Sequence, residues 1–270
     1  MTYVKKQHVV SRVLLTRFAE QGKCASYNFE RQREYVATPK NLGIVKNFIP
    51  QESGTKEYEQ TWGEVETKLP EVFAALDDGT FHEKPFCIAV AKQCIALHFA
   101  RSCVISELWH SLLPGVIQRG RQALLNDPQK ILPLVQHVFG RPPRDYMDLE
   151  KAAHWLENHV QQRLEIGEGR GKLVEKYFRQ ATNDLRGTGL QVGEATEPTF
   201  LIGDAPAVTF DSTTGRVGPL GGVPFKLADG LFMPFGPRHI LAVASGQAAR
   251  RLWLHLNKEQ VAAGNRKQIL

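Results

Sequence analysis

TFLIGDAPAVTF, residues 199–210, decides the fold class. It follows Pro198, where the texture of the chain changes. Upstream, apolar residues recur three and four apart, the spacing of a helix face. Here they run together, rich in β-branched types and broken by Gly203, Asp204 and Pro206, as buried strands and turns do. GLFMPFG (230–236) and HILAVAS (239–245) continue the pattern, with loops at Gly215, Gly218, Gly221 and Gly222. The expectation is a mixed α+β protein. A mostly helical bundle packs on a small antiparallel β-sheet near the C-terminus, formed mainly by residues 199–245.

Working outward, residues 56–77 place Trp62, Val65, Leu69, Val72, Phe73 and Leu76 on one helical face, ended by Asp77-Asp78-Gly79. The longest apolar pattern runs from Pro85, a fit for the first turn of a helix, to about Leu113. Pro114-Gly115 interrupts it before a second helix to about Leu125. Further helices are expected near 128–139, 148–166 and 171–185. Ahead of them lie a short amphipathic helix at 9–19, a weakly alternating hairpin at 23–36 and a loop between Pro39 and Pro50. A last helix starts near Gln247 or Lys258. The pieces read as a single domain over 1–270. Residues 1–50 hold the N-terminal helix and β-hairpin, 51–190 the helical core, and 191–270 a β-rich segment with a terminal helix.

With 270 residues, 42% hydrophobic and 23% charged, the chain buries a large core and is neither disordered nor fibrous. The net charge of +6 is uneven. Residues 1–60 carry ten Lys/Arg against six Asp/Glu, residues 234–270 six against one, and the middle eighteen against twenty-one. If the basic ends meet, they form a face for nucleic acid or another phosphate-bearing ligand. The alternative is ordinary solvated surface charge. The four cysteines form no CxxC pair, and three sit in an apolar helical stretch. Cys87 and Cys94 lie two turns apart, roughly 10 Å, beyond the ~7 Å limit for a bridge. Free thiols suit a cytoplasmic location. The N-terminus shows no apolar signal core, and no run of 18 uncharged apolar residues spans a membrane.

Three segments together resemble the bacterial domain-of-unknown-function family numbered 4238. KKQHVVSRVLLTRF is similar to its opening of a histidine and a leucine-rich helix ending in Phe. YEQTWGEVETKLP with CIALHFARS resembles its glutamate-bearing helix and its long arginine-containing helix. TFLIGDAPAV with LFMPFGPRHILAV resembles its Asp-x-Pro turn and proline-containing strand. Ser11 stands where the family carries proline, three residues after the histidine. The resemblance spans roughly residues 4–260 and implies no mechanism.

Four residues are candidates for chemistry. His8, behind Lys5 and Lys6, serves as a general base or metal ligand, or else packs at a helix start. Glu66 shares a face with Glu59 and Trp62, where an apolar surround raises a carboxylate's pKa; either acid can equally pair with an arginine or face water. Arg101 falls on one stripe with Cys87, Cys94, His98, Ile105 and Leu112, and points inward if they do. A buried guanidinium needs a carboxylate or phosphate partner, so it is either an internal strut or an anion-binding group. Asp204 follows an apolar strand, a place for a metal ligand or catalytic acid as well as for a turn-forming aspartate. GEGRG (167–171) lacks the Walker pattern, and His154 and His159 are poorly spaced for a metal. Two functions remain. In one, the four residues converge in a phosphodiester hydrolase or nucleic-acid-processing effector, where a carboxylate or histidine activates water or holds a divalent metal. In the other, the polar residues are struts in a non-catalytic domain binding nucleic acid or protein.

Overall fold

The computed structural model describes residues 6–46, 48–49, 55–165, 169–197, 200–211, 213–217, 228–244 and 252–268. The fold is mixed α+β, with a five-stranded sheet in the C-terminal half. The chain divides into two compact units, Met1–Ile105 with Gly171–Leu270, and Ser106–Arg170.

In the first unit, strand β1 (Lys6–His8) leads into helix α1 (Arg12–Arg17). Ser11 caps that helix, its Oγ accepting from the Leu14 N–H at 3.5 Å. The expected hairpin is present as β2 (Cys24–Asn28) and β3 (Arg33–Ala37). The loop between Pro39 and Pro50 contains a strand, β4 (Ile44–Lys46), antiparallel to β1.

The single helix expected over 56–77 is two helices, α2 (Thr55–Glu66) and α3 (Leu69–Asp77). Pro70 explains the break: it sits in the first turn of α3, where its missing N–H needs no partner. A second difference matters more. Helix α4 (Pro85–Ala100) ends at its C-terminal cap, Arg101, whose N–H still donates to the Leu97 carbonyl. Helix α5 (Cys103–Leu125) then runs straight through Pro114. Proline removes one helical hydrogen bond without ending the helix here. Arg101 is therefore a helix cap, and Ile105 and Leu112 belong to another helix.

The second unit holds α6 (Pro128–Phe139) and α7 (Tyr146–Glu165). Ile131 and Val135 of α6 pack on Ala152 and Ala153 of α7, all nearly inaccessible. Helix α8 (Arg170–Leu185) returns the chain to the first unit, burying Val174, Phe178, Ala181 and Leu185.

The sheet comprises β5 (Gln191–Ala195), β6 (Val208–Phe210), β7 (Gly230–Pro234), β8 (His239–Ala244) and β9 (Trp253–Leu256). Its order is β6-β7-β8-β5-β9, antiparallel except for the parallel β5–β9 pair. Strand β9 was not anticipated; the terminal helix α9 (Lys258–Gln268) begins just after it. Among the described residues of TFLIGDAPAVTF, only the last three are strand. Pro206 lacks a ladder donor, and Asp204 and Ala205 bend the chain before it. Side chains alternate across the sheet. Val192, Leu231, Met233, Leu241 and Val243 join the core formed with α1, α3, α4 and α8. Ala195, Val208, Phe232 and Ile240 pack instead with Val261 of α9 and Phe200. Covered on both faces, β7 is buried along its whole length, which explains its uninterrupted apolar sequence.

Cys24, Cys87 and Cys94 are buried free thiols, as expected. The side chain of Cys103 lies outside the described residues. Among the described residues, no helix is long and apolar enough to cross a membrane.

Gly230 marks a close approach. A Cβ there would sit 2.7 Å from the Phe210 ring and 2.8 Å from the Val243 carbonyl oxygen. The backbone contact cannot yield, so Gly230→Ala is expected to cost about 1–3 kcal/mol, the range for overpacking. Urea unfolding, read as a lower midpoint at unchanged slope, checks this.

Candidate functional site

The polar centre of the first unit is assembled from three short pieces of chain. Strand β1 supplies Gln7 and His8, the last two turns of α2 supply Glu59, Trp62 and Glu66, and the end of α4 supplies Cys94, His98 and Arg101. Glu59, Trp62 and Glu66 are spaced to share one helix face, and the early end of α4 turns Arg101 toward it.

Arg101 is 3% exposed. Its Nη1 donates to Glu66 Oε1 at 2.8 Å, and its guanidinium carbon lies 5.0 Å from the Trp62 ring centroid. It is thus paired on one side and stacked on another. Glu66 remains partly open, with 23% of its side chain exposed. Gln7 ties β1 to α2, donating from Nε2 to Glu59 Oε1 at 3.0 Å while its Oε1 accepts from the Ile49 N–H at 2.7 Å.

His98 is fully buried and doubly bonded. Its Nε2 accepts from the Ser11 N–H at 3.0 Å, and its Nδ1 donates to the Cys94 carbonyl at 2.8 Å. A backbone N–H can only donate, so this geometry fixes the neutral tautomer. Burial above all, then the Arg101 charge, lowers its pKa to about 4. Burial likewise pushes the Cys94 thiol up.

His8 is half-buried. Burial is the main cause of its lowered pKa; the Leu42 backbone opposes this, Arg101 and Arg12 reinforce it, and Glu66 opposes it. His8 Nδ1, Trp62 Nε1 and Arg101 Nε are all buried without a hydrogen-bond partner among the described residues. Such groups are uncommon in folded proteins, each costing roughly 1–3 kcal/mol.

Of the four residues singled out from sequence, His8, Glu66 and Arg101 therefore share one cluster. Asp204 does not join them through any described hydrogen bond or ion pair. It is exposed in an irregular segment several residues before β6, where the neighbouring Gly203 N–H donates to Gln268 Oε1 of α9. Among the described residues, no three His, Cys, Asp or Glu side chains are placed to hold a metal ion. The guanidinium at the centre also opposes a cation there.

Sequence reading missed Gln7, which as an uncharged residue gave no signal. It also missed a second polar group at the start of β8. Arg17 binds Asp77 with both nitrogens at 2.8 and 2.7 Å, and buried His239 lies 3.8 Å from the same carboxylate. On the adjacent strand Glu194 accepts from Trp253 Nε1 at 2.9 Å and pairs with Arg238 at 3.0 Å. These residues fasten α1 and α3 to the sheet.

Fold and site define an α+β protein built around a buried arginine–carboxylate centre. The family described as "Protein of unknown function (DUF4238)" matches residues 6–270, and the chain belongs to that family. No curated protein and no solved structure matches it.

Arg101→Ala removes the partner of half-buried Glu66 and the cation over Trp62, and is expected to destabilise the fold by roughly 3–5 kcal/mol by chemical denaturation, whereas an exposed pair would cost under about 1. The His98 linkage has a definite sign. Its folded pKa, about 4, lies below the unfolded value of 6.5, so the folded state binds fewer protons. Stability is complete above pH 6.5 and declines as pH falls toward 4, by about 3 kcal/mol in all. His98→Leu removes this part of the acid limb, measurable as a shallower fall in urea midpoint between pH 7 and 4.5.

Proposed function

We propose that the protein is a phosphodiester hydrolase acting on nucleic acid, with His8, Glu66 and Arg101 as its working residues. The observation that carries this is the set of three buried nitrogens without hydrogen-bond partners, two of them obligate donors on Trp62 and Arg101 and the third on the neutral His8 imidazole. A donor-rich, acceptor-poor centre suits an oxyanion, and a phosphate supplies several acceptor oxygens. In this reading Arg101 and Trp62 hold the phosphate while Glu66 keeps the guanidinium in place. His8, kept neutral by burial, takes the proton of the water whose oxygen attacks phosphorus; the P–O bond to the leaving group breaks, and the protonated imidazole returns that proton to the departing oxygen. Asp204, exposed in its own turn, has no part in it. The excess of Lys/Arg in residues 1–60 and 234–270 supports an anionic substrate.

One observation favours a second reading, a non-catalytic binding domain. Arg101 is already paired with Glu66 and covered by Trp62, as an internal strut would be.

Two measurements separate the readings: hydrolysis of bis(p-nitrophenyl) phosphate, and calorimetric binding of inorganic phosphate. The hydrolase reading expects turnover in the wild type. His8→Gln should lower kcat by roughly 10²–10⁴-fold with phosphate still bound. Because the base must be unprotonated, kcat/KM should fall on the acid side of a pKa below the ordinary 6.5 of histidine. Absence of turnover with phosphate binding intact moves the case to the binding domain. Absence of both overturns the phosphate site.

A further inference from the structure

The β1–β4 pair carries His8 and an arrangement that packing does not explain. Its register sets Lys6 directly opposite Lys46 and His8 opposite Ile44. Side chains alternate along a strand, so Lys6, Lys46, His8 and Ile44 share one face while Gln7 and Val45 take the other. The Gln7 face is occupied: Gln7 is buried and bonded to Glu59 and to the Ile49 N–H. The His8 face ends outward in two lysines.

Like charges directly opposite each other across a ladder repel and weaken it. Lys6 and Lys46 are both exposed, and among the described residues neither forms an ion pair. Arg12, the first residue of α1, is likewise exposed with no described ion pair, and its charge reaches the His8 ring. Of the two acids that the described contacts bring to β1, Glu66 holds Arg101, and Glu59 lies behind the opposite face, accepting from Gln7. Positive charge is therefore crowded on the side of the strand from which His8 projects.

Spacing identifies what would neutralise it. Lys6 and His8 are two residues apart on an extended strand, about 7 Å at the standard rise. Two phosphates joined through one sugar span a comparable distance. A phosphate held at Arg101, beside His8, would set the next phosphate of the same strand over Lys6 and Lys46. Lysine serves phosphate as a compact point charge, and an anion between two lysines turns their repulsion into a common attraction. A lone phosphate would leave both unmatched.

We propose that Lys6 and Lys46, with Arg12, form a second phosphate subsite beside the Arg101 centre, so that the site takes a polynucleotide strand with neighbouring phosphates in preference to an isolated diester. The proposal rests on the phosphate-binding part of the functional reading and is independent of hydrolysis.

Calorimetry on the full chain compares thymidine 3′,5′-bisphosphate with thymidine 5′-monophosphate and inorganic phosphate. The wild type should bind the bisphosphate roughly 5- to 25-fold more tightly than the monophosphate, the worth of one or two exposed ion pairs at their upper limit. Lys6→Gln combined with Lys46→Gln should erase that preference and leave inorganic phosphate binding as it is. Lys6→Glu should raise the unfolding midpoint, because it relieves the cross-strand repulsion, while the bisphosphate preference is lost. Equal wild-type affinity for the two nucleotides, or a preference that survives the double variant, would overturn the subsite. Diglutamate bound as tightly as the bisphosphate would overturn it in favour of an acidic peptide. Lysine-dependent bisphosphate binding without any binding of inorganic phosphate would keep the subsite and remove the phosphate site at Arg101. Binding of none of these ligands would overturn both.

Discussion

A guanidinium at 3% exposure must be matched, and in this protein the match between Arg101 and Glu66 organises everything around it. It joins the last residue of α2 to the first residue beyond α4, so two helix ends are fixed to one point. Trp62, one turn before Glu66, covers the charge. The same positive charge reaches His98 and His8, and with burial it keeps both imidazoles neutral. Neutral His98 then holds the start of α1 through the Ser11 N–H. The ion pair fixes α2 to α4, His98 fixes α4 to α1, and Gln7 fixes β1 to α2.

Ser11 shows how local that arrangement is. Its φ of −53° is a value proline readily takes, so a proline there, as in the resembling family, would follow the same backbone path. It would lack the N–H that His98 accepts. Residues 11 and 98 therefore form a donor–acceptor pair across 87 positions of sequence.

The sequence made the broad architecture legible because period and composition change together at Pro198. The hairpin at 23–36, the α6, α7 and α8 helices and the inward arginine were likewise readable. Arg101 came out buried even though the stripe used to argue it spanned two helices. Cys87, Cys94 and His98 suffice for that argument, since all lie on α4 ahead of the cap. What escaped were features set by tertiary contacts. Pro114 looked like the breaker, whereas the chain turns at Arg101, where the side chain is drawn to Glu66. Asp204 looked like a strand end because apolar residues surround it, but they are irregular chain: Phe200 packs with Val261 of α9, while Ile202 and Ala207 join the main core. Strand β9 has exposed positions on both sides of its sequence pattern and declares itself only by lying parallel to β5. Gln7 carries no charge, and its importance follows from having a partner on each side.

The energetics of the centre bear on its purpose. Buried ion pairs seldom add stability relative to well-packed apolar residues of similar volume, because desolvation offsets the attraction. Here the pair is accompanied by three buried nitrogens without partners, which makes the centre more costly still. The surrounding core is otherwise closely apolar: Leu69, Val72, Ala91, Ile95 and Leu97 are all inaccessible. A chain selected for stability alone would extend that packing through positions 62, 66 and 101. Local rules tend to be broken where a fold serves a function. The kind of break is informative as well. Surplus donors, a carboxylate already engaged and a neutral imidazole leave room for acceptors and not for cations. In the proposed reading, an oxyanion such as phosphate completes that set of donors.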